Sequence, residues 1–332
     1  MIKKFRPSRW ISSIAVLWGI IATLTGLCNN YHSLIACRLL LGLVEGGLFP
    51  GMAIYLTLFY TKQELALRIA YLFVSAALAG ATGGLLAYAI GFMDGVAGLR
   101  GWRWIMIIEG LPTFVLGLAS FFILADDPAH AYYLTPADKA LMTARQARQV
   151  GHTPSAQNFH RRDVRHALTD WKVYAFCLGQ FGADTMLYGY STFLPTIIKT
   201  FGHWSAAQVQ ALTIPCYVLG AVTYLLVARL SDRQQLRGLY CVVFGAVSVV
   251  GYAILMADVG PGAHYFACFV VALGLYVVVG LPLAWLPANN PRYGKRTTAG
   301  GLQLMVGNCS GIMAPFVSLL CPAPSSLPHD RP

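Results

Sequence analysis

Residues 263–287 read AHYFACFVVALGLYVVVGLPLAWLP and contain no lysine, arginine, aspartate or glutamate. A helix of about 20 apolar residues is long enough to cross the roughly 30 Å hydrocarbon core of a bilayer. Lipid leaves no partner for unsatisfied backbone groups, and the stretch shows no period-two alternation, so a helix is the structure that fits it. This segment predicts a transmembrane helix and an all-α fold.

Eight further stretches meet the same test of length and composition. They are 10–28, 33–58, 68–93, 104–125, 173–198, 207–228, 239–257 and 298–320. The whole chain is 57% hydrophobic and only 11% charged, whereas an ordinary soluble domain carries about 25% charged residues. We therefore predict a polytopic membrane bundle of nine spans.

The positive charges fall in every second gap between the predicted spans. Nineteen of the 24 lysines and arginines lie before the first span or in the gaps 59–68, 126–172, 229–237 and 292–296. Loops rich in lysine and arginine stay on the cytoplasmic side of a membrane. This pattern predicts a cytoplasmic N-terminus and puts all of these segments on one face.

Several other classes of protein are disfavoured by the same residues. The net charge of +11 sits in loops and forms no aromatic-interleaved stripe typical of nucleic-acid binding. The eight cysteines show neither CxxC nor Cys/His spacing, so no metal site or disulfide framework is indicated. No signal peptide and no catalytic motif stands out, and we expect neither an enzyme nor a cofactor.

One long polar stretch divides the chain. We predict a first half-bundle of four spans (1–125), a central cytoplasmic loop (126–172), a second half-bundle of five spans (173–320) and a Pro-rich tail (321–332). Thr135, Pro136 and Asp138 form a helix-start signal. They favour an amphipathic helix over about 136–150 followed by a flexible basic linker, against the alternative of a disordered loop.

The second predicted span carries two charges. Arg38 and Glu45 are two helical turns apart and share a face with Gly42 and Gly46. Charged groups inside a bilayer persist where they pair or line water. Arg38 is interpreted as a gating anchor near the cytoplasmic end, and Glu45 as a proton-linked group. The alternative is that both form structural pairs with neighbouring helix ends. Pro50 should break the helical hydrogen-bond ladder.

The fifth span is the best candidate for contact with a substrate. Gln180, Asp184 and Tyr188 lie on one helical face, and Tyr190 follows closely. A carboxylate at this depth must face a cavity or a partner, although the tyrosines alone could belong to an interfacial belt. On the eighth span, Trp285 and Asn289 follow a Gly/Pro-interrupted stretch and are added to the substrate candidates.

Two other groups of polar residues are interpreted as structural or conformational elements and not as substrate contacts. Asp232, Arg233 and Arg237 lie at a predicted cytoplasmic turn, where the aspartate can cap one helix while the arginines bind helix C-termini. We interpret this group as a conformational latch. Asn308, flanked by Gly307 and Gly311, fits helix packing better than ligand binding.

The motifs together resemble the major facilitator superfamily, in particular its anion:cation symporter branch, the fungal allantoate and nicotinate permease group. The matching segments are RLLLGLVEGGLFPG (38–51), GWRW (101–104) with IEG (108–110), SDR (231–233) with RG (237–238), and Trp285, Asn289, KR (295–296), GN (307–308) and GI (311–312). The nine spans resemble helices three to eleven of that twelve-helix family, without the first two and the last.

The resemblance implies a function for the parent fold. It implies a proton symporter for a small organic anion such as nicotinate or allantoate, monomeric, in the plasma membrane, with the proton, the anion and the lipid bilayer as its partners. Arginine is scarce inside the spans, so we expect helix dipoles, tyrosines and asparagines to hold the anion. The alternative is a non-transporting membrane protein derived from such a transporter; a membrane enzyme is a weaker third possibility.

Overall fold

The computed structural model describes residues 6–61, 63–147, 159–200, 202, 204–257 and 259–320. Within these ranges all of the regular secondary structure is helical, and turns and loops connect the helices. The helices are α1 (Pro7–Thr25), α2 (Tyr31–Glu45), α3 (Leu48–Phe59), α4 (Leu65–Gly91), α5 (Gly101–Ile123), α6 (Pro136–Ala147), α7 (Arg161–Leu168), α8 (Trp171–Thr200), α9 (Ala206–Gln234), α10 (Arg237–Met256), α11 (Pro261–Asn289) and α12 (Tyr293–Leu320), with a short 3₁₀ turn at Val96–Gly98.

Each of the nine predicted spans corresponds to a long helix, except that the second is formed by α2 and α3 together. Among the described residues, seven of the nine are long and apolar enough to cross a membrane. The other two, α8 and α12, have 30 and 28 residues but contain more polar side chains. The predicted all-α membrane bundle is therefore confirmed, and two of its spans are distinctly polar.

The break between α2 and α3 has a local cause. Pro50 lacks an N–H, so it cannot donate to the carbonyl of Gly46, and its ring crowds that carbonyl. The regular α-helix stops at Glu45 and resumes at Leu48, while Gly46 and Gly47 between them form a turn with right-handed helical φ/ψ values. The predicted interruption at Pro50 is confirmed, and it lies one turn before the proline itself.

The helices pack most extensively in four pairs: α1 with α5, α4 with α9, α8 with α12, and α10 with α11. The largest buried cluster is shared by α4, α8, α9 and α11 and includes Ile69, Leu194, Tyr224 and Leu275. Since α4 belongs to the first four predicted spans and α9 to the last five, this pair joins the two parts of the bundle.

Glycines allow α1 and α5 to approach closely. A methyl carbon built on Gly110 would lie 2.7 Å from the backbone nitrogen of Thr23, and one on Gly117 would lie 2.8 Å from that of Val16. Small residues at such positions bring helix backbones together in membranes, where packing replaces the hydrophobic effect. The α1–α5 contact therefore depends on the missing side chains.

The segments rich in lysine and arginine meet at one end of the bundle, which we call the basic end. The contacts that join them are Ser8 Oγ to Asp126 Oδ1 (2.6 Å), Arg145 Nη2 to Glu64 Oε1 (2.8 Å), Arg292 Nε to Asp163 Oδ1 (3.1 Å), and Lys295 Nζ to Asp170 Oδ2 (2.6 Å). The predicted common face of these segments agrees with the structure. Which side of the membrane this face occupies remains a prediction.

The central loop contains more helix than the sequence predicted. Helix α6 starts at Pro136, with the Thr135 and Asp138 side chains capping each other's backbone N–H. The predicted end of this helix, 148–150, lies outside the described residues. The prediction of a flexible linker is wrong for α7, which packs against α12 with Asp163 almost fully buried beside Arg292. That tertiary contact leaves no local sequence signal.

We predict that the α1–α5 approach is sensitive to a single methyl group. Gly117→Ala should lower the free energy of unfolding by about 1–3 kcal/mol, because overpacking forces the two backbones apart. The measurement is unfolding of the purified protein in mixed micelles. Gly179→Ala is the matched control, since a methyl group there meets no atom within 4 Å; equal losses in the two variants would contradict the packing argument.

A second prediction concerns Asp170 at the basic end. The hydrogen bond from Lys295 Nζ lowers the pKa of the Asp170 carboxyl. A lowered folded-state pKa gives stability that is present at neutral pH and is lost as the pH falls through that pKa.

We therefore expect Lys295→Gln to cost about 1 kcal/mol or less at pH 7, since both side chains are partly exposed. The difference from wild type should shrink between about pH 4 and pH 2, near and below the ordinary pKa of an aspartate. Unfolding measured across this range tests the expectation. A difference that does not change with pH would show that the ion pair does not cause it.

Candidate functional site

A cavity of about 980 Å³ lies at mid-height in the bundle. Helices α1 to α4 form one side of it, and α8, α11 and α12 form the other. Its wall is mostly apolar, with polar groups on a few helices. Those polar side chains are Trp18, Glu45, Ser75, Gln180, Asp184, Tyr188 and Asn308. A concave, largely apolar space with a few convergent polar groups is typical of a small-molecule site.

Helix α8 presents the polar face that its sequence predicted. Gln180, Asp184 and Tyr188 all line the cavity. Gln180 Nε2 donates to Asp184 Oδ1 at 2.8 Å, and both residues are at most 6% exposed. A carboxylate in the bilayer interior needs such partners, because an isolated charge there is costly. The cavity position of these three residues agrees with the prediction.

Helix α12 completes this network. Gln303 Nε2 donates to Gln180 Oε1 at 3.1 Å, and Tyr188 Oη donates to Asn308 Oδ1 at 2.9 Å. Gly307 carries no side chain at the point where Asp184 approaches, and a methyl group there would overlap Asp184. Helices α8 and α12 are thus joined by polar contacts on one face.

Sequence reasoning missed part of α12. Gln303, which is fully buried, was not recognised, although a glutamine within an apolar stretch is a signal that the sequence offers. Asn308 was assigned to helix packing, and its hydrogen bond with α8 agrees with that assignment, but it also lines the cavity. Its amide is therefore accessible to a ligand in the cavity.

Helix α2 contributes Glu45 to the cavity wall together with Gly42 and Gly46. Those three residues share the predicted face. Arg38 does not line the cavity; it is exposed at the middle of α2. Its neighbour Cys37 contacts Cys28, whose carbonyl accepts from Arg103, and these residues lie at the end opposite the basic end. The predicted position of Arg38 near the cytoplasmic end is therefore wrong for the topology that we inferred.

Three other predicted binding residues do not line the cavity. Tyr190 is rotated about 200° around the helix from Tyr188, at about 100° per residue, and its hydroxyl donates to the Cys268 carbonyl at 2.9 Å in the core. Trp285 packs edge-on against Phe176 with ring centroids 5.1 Å apart. Asn289 is the last residue of α11 and is not part of the wall.

The predicted latch has two members that act on neighbouring helices. Asp232 Oδ2 accepts from the backbone N–H of Leu67 at 2.8 Å, which caps the N-terminus of α4. Arg237 Nη1 donates to the Ala284 carbonyl near the end of α11 at 3.0 Å, and Nη2 lies 3.1 Å from Asp232 Oδ1. Arg233, by contrast, is exposed. The predicted contacts to helix ends are thus seen for Asp232 and Arg237, and not for Arg233.

In the part of the chain that the structure describes, no three histidine, cysteine, aspartate or glutamate side chains come together as a group that could hold a metal ion. The site consists of carboxylates, amides, aromatic rings and apolar walls. Such groups can bind and orient a small polar molecule by hydrogen bonds.

A multi-pass helical bundle with a cavity between two groups of helices is the architecture of a membrane transporter. The sequence profile of the Major Facilitator Superfamily matches residues 1–315. The chain belongs to this superfamily and is an integral membrane protein.

Relatives of the chain are fungal transporters. An uncharacterized transporter of Schizosaccharomyces pombe is 45% identical over 315 residues, which are 95% of this chain and 63% of the relative. The high-affinity nicotinic acid transporter of Saccharomyces cerevisiae is 31% identical over 316 residues, covering 95% of this chain and 58% of that protein. The chain thus spans about three fifths of the length of these two relatives.

Solved structures agree with the fold. A bacterial homologue of the human lysosomal transporter Spinster, in an inward-facing and occupied conformation, has a TM-score of 0.59 at 17% identity, with 92% of this chain and 65% of that chain covered. The proton:xylose symporter XylE has a TM-score of 0.57 at 14% identity, with 95% and 73% covered. At these identities the likeness concerns the fold.

We predict that Asp232 stabilises the bundle through α4 and Arg237. Asp232→Ala should lower the unfolding free energy by about 3 kcal/mol or more, because it leaves the Arg237 charge buried without its carboxylate and removes a helix cap. Unfolding in mixed micelles measures the effect. Arg233→Ala is the control, since an exposed side chain should change stability by less than about 0.5 kcal/mol.

A double variant sharpens this test. In Asp232→Ala/Arg237→Leu the stranded charge is absent, so part of the lost stability should return. A double variant less stable than Asp232→Ala alone would show that the pairing does not account for the loss.

Proposed function

We propose that the chain is part of a secondary active transporter, a proton symporter that carries a small organic anion such as nicotinate or allantoate. The observation that carries the proposal is the cavity of about 980 Å³ with Glu45 on one side and Gln180, Asp184 and Tyr188 on the other. The nicotinic acid transporter among the relatives supports the choice of substrate class.

In this proposal the α8 face binds the substrate. Tyr188 offers a ring for a planar ligand, and the amide of Asn308 offers hydrogen-bond donors. The Gln180 amide already donates to Asp184 and to the Val279 carbonyl, so it shapes the wall instead. Asp184 orients Gln180 through the 2.8 Å hydrogen bond. Nicotinate is planar and has one carboxylate and one ring nitrogen, so it suits a wall of rings and amides.

Glu45 is proposed as the proton-linked group. It lines the cavity, and no described basic side chain lies within ion-pair distance of it. A carboxylate that faces a water-filled cavity can take up and release a proton as its surroundings change. Arg38, which the sequence suggested as a gating anchor on the same helix, lies away from the cavity and has no role in this proposal.

The distribution of charge supports an orientation in the membrane. Because loops rich in lysine and arginine favour the cytoplasm, we propose that the basic end and the N-terminus are cytoplasmic. We also propose a plasma-membrane location, a monomer, and movement of the segments 1–125 and 173–320 relative to each other. The Asp232 contact with Leu67 joins these segments at the basic end, as a latch would.

The test is uptake by proteoliposomes that contain the purified chain. We expect labelled nicotinate or allantoate to accumulate above the level of protein-free liposomes when an inward proton gradient is imposed, and a protonophore should abolish the excess. If no organic anion enters under these conditions, the proposal fails and the alternative of a non-transporting membrane protein is favoured.

Within that assay, Glu45→Gln should reduce gradient-driven uptake about tenfold or more, since the amide cannot carry the proton, while exchange of labelled for unlabelled substrate continues. Glu109→Gln is the matched control because Glu109 lies on α5 and is not part of the cavity wall. Equal proton dependence in Glu45→Gln and wild type would remove Glu45 from the coupling role.

A further inference from the structure

Arg296 lies between the cavity and the basic end. It lines a pocket of about 30 Å³ formed by α3, α4, α11 and α12. This pocket adjoins the cavity, because the two share five wall residues: Phe49, Pro50, Leu283, Gly301 and Leu304. Arg296 therefore lies just beyond the cavity wall, where helices from the first four spans meet helices from the last five.

The cation differs from its neighbours on α12. Arg292 pairs with Asp163 at 3.1 Å and Lys295 with Asp170 at 2.6 Å. Arg296 forms no ion pair within the described ranges, and its buried Nε has no hydrogen-bond acceptor there. Its contact is with the Tyr293 ring, 6.0 Å from the guanidinium carbon. A largely buried cation without a carboxylate is costly unless a mobile anion or water compensates it.

The pocket itself is too small for an organic anion. A volume of about 30 Å³ accommodates roughly two water molecules at about 10–15 Å³ each. The wall towards the cavity is thin, because Gly300 and Gly301 have no side chains and a methyl group on either would meet no atom within 4 Å. A modest separation of α3 from α12 would open the cavity to Arg296.

We propose that Arg296 is the anion-selecting residue of the transport path: the carboxylate of the ligand moves past Gly301 and is neutralised by the Arg296 guanidinium. This inference rests on the proposed function and names the substrate class by its chemistry. It also replaces the sequence-based expectation that dipoles, tyrosines and asparagines alone hold the anion. Neutral analogues of the same shape would lack the favourable interaction and be rejected.

The experiment compares nicotinate with nicotinamide, which keeps the ring and replaces the carboxylate by a neutral amide. Binding is measured by titration calorimetry on the purified full chain. We expect wild type to prefer nicotinate by about tenfold or more, as a charge-assisted hydrogen bond implies. Arg296→Gln should remove the preference, and Arg296→Lys should keep part of it. Lys295→Gln, which removes a neighbouring charge already paired with Asp170, should keep all of it.

A measurement on wild type avoids any effect of substitution on folding. Phenylglyoxal modifies accessible arginines, and peptide mass spectrometry locates the product. We expect nicotinate to protect Arg296 and nicotinamide not to protect it. Equal protection by both ligands, or an unchanged preference in Arg296→Gln, overturns the assignment to Arg296 while leaving the proposed function intact. If wild type binds neither nicotinate nor allantoate, both the inference and the proposed function fail.

Discussion

The cost of leaving a polar group unsatisfied in lipid controls the arrangement of this molecule. Water cannot reach the hydrocarbon core, so each buried donor or acceptor needs a partner within the bundle. Asp184 meets this requirement through Gln180, and Gln180 in turn accepts from Gln303 on another helix. Gln180 thus satisfies the carboxylate on its own helix and, through its bond from Gln303, also holds α8 against α12. The polar side chains that face the cavity therefore also hold its walls together.

The same constraint favours helix ends for many of the other charges. At the basic end, acidic and basic side chains from distant parts of the chain reach one another, as Asp163 does with Arg292. Asp232 is the most informative case. Its carboxylate accepts from an N-terminal N–H of α4, and its ion-pair partner Arg237 donates to a carbonyl near the end of α11. Asp232 on α9 and Arg237 on α10 thus link these two helices to α4 and α11. The backbone N–H that Asp232 caps is one of the groups that the start of a helix leaves unpaired. Such links can be broken and remade when helices move.

The sequence predicts the features that depend on amino-acid composition and on the helical repeat of about 3.6 residues. Long apolar runs identify the spans, and Gln180, Asp184 and Tyr188 share a face because of the helical repeat. Features that depend on how a helix is rotated against a neighbouring helix are harder to predict from the sequence. Tyr190 looks equivalent to Tyr188 in the sequence, yet a rotation of about 200° sends its hydroxyl to Cys268. Helix α7 and the pocket of Arg296 escape prediction because contacts distant in sequence create them.

Polarity, more than burial, distinguishes α8 and α12 from the other helices around the cavity. Helix α11 is the most apolar of the seven spans with high hydropathy, and 67% of its most apolar window is buried. It is thus the central packing helix, and it contributes only Val279 and Leu283 to the cavity wall. Helices α8 and α12 fall outside those seven because they carry the polar network. In a membrane bundle, a long span of weakened hydropathy is therefore a signal for a water-filled site, since its polar side chains persist only where the bundle provides partners.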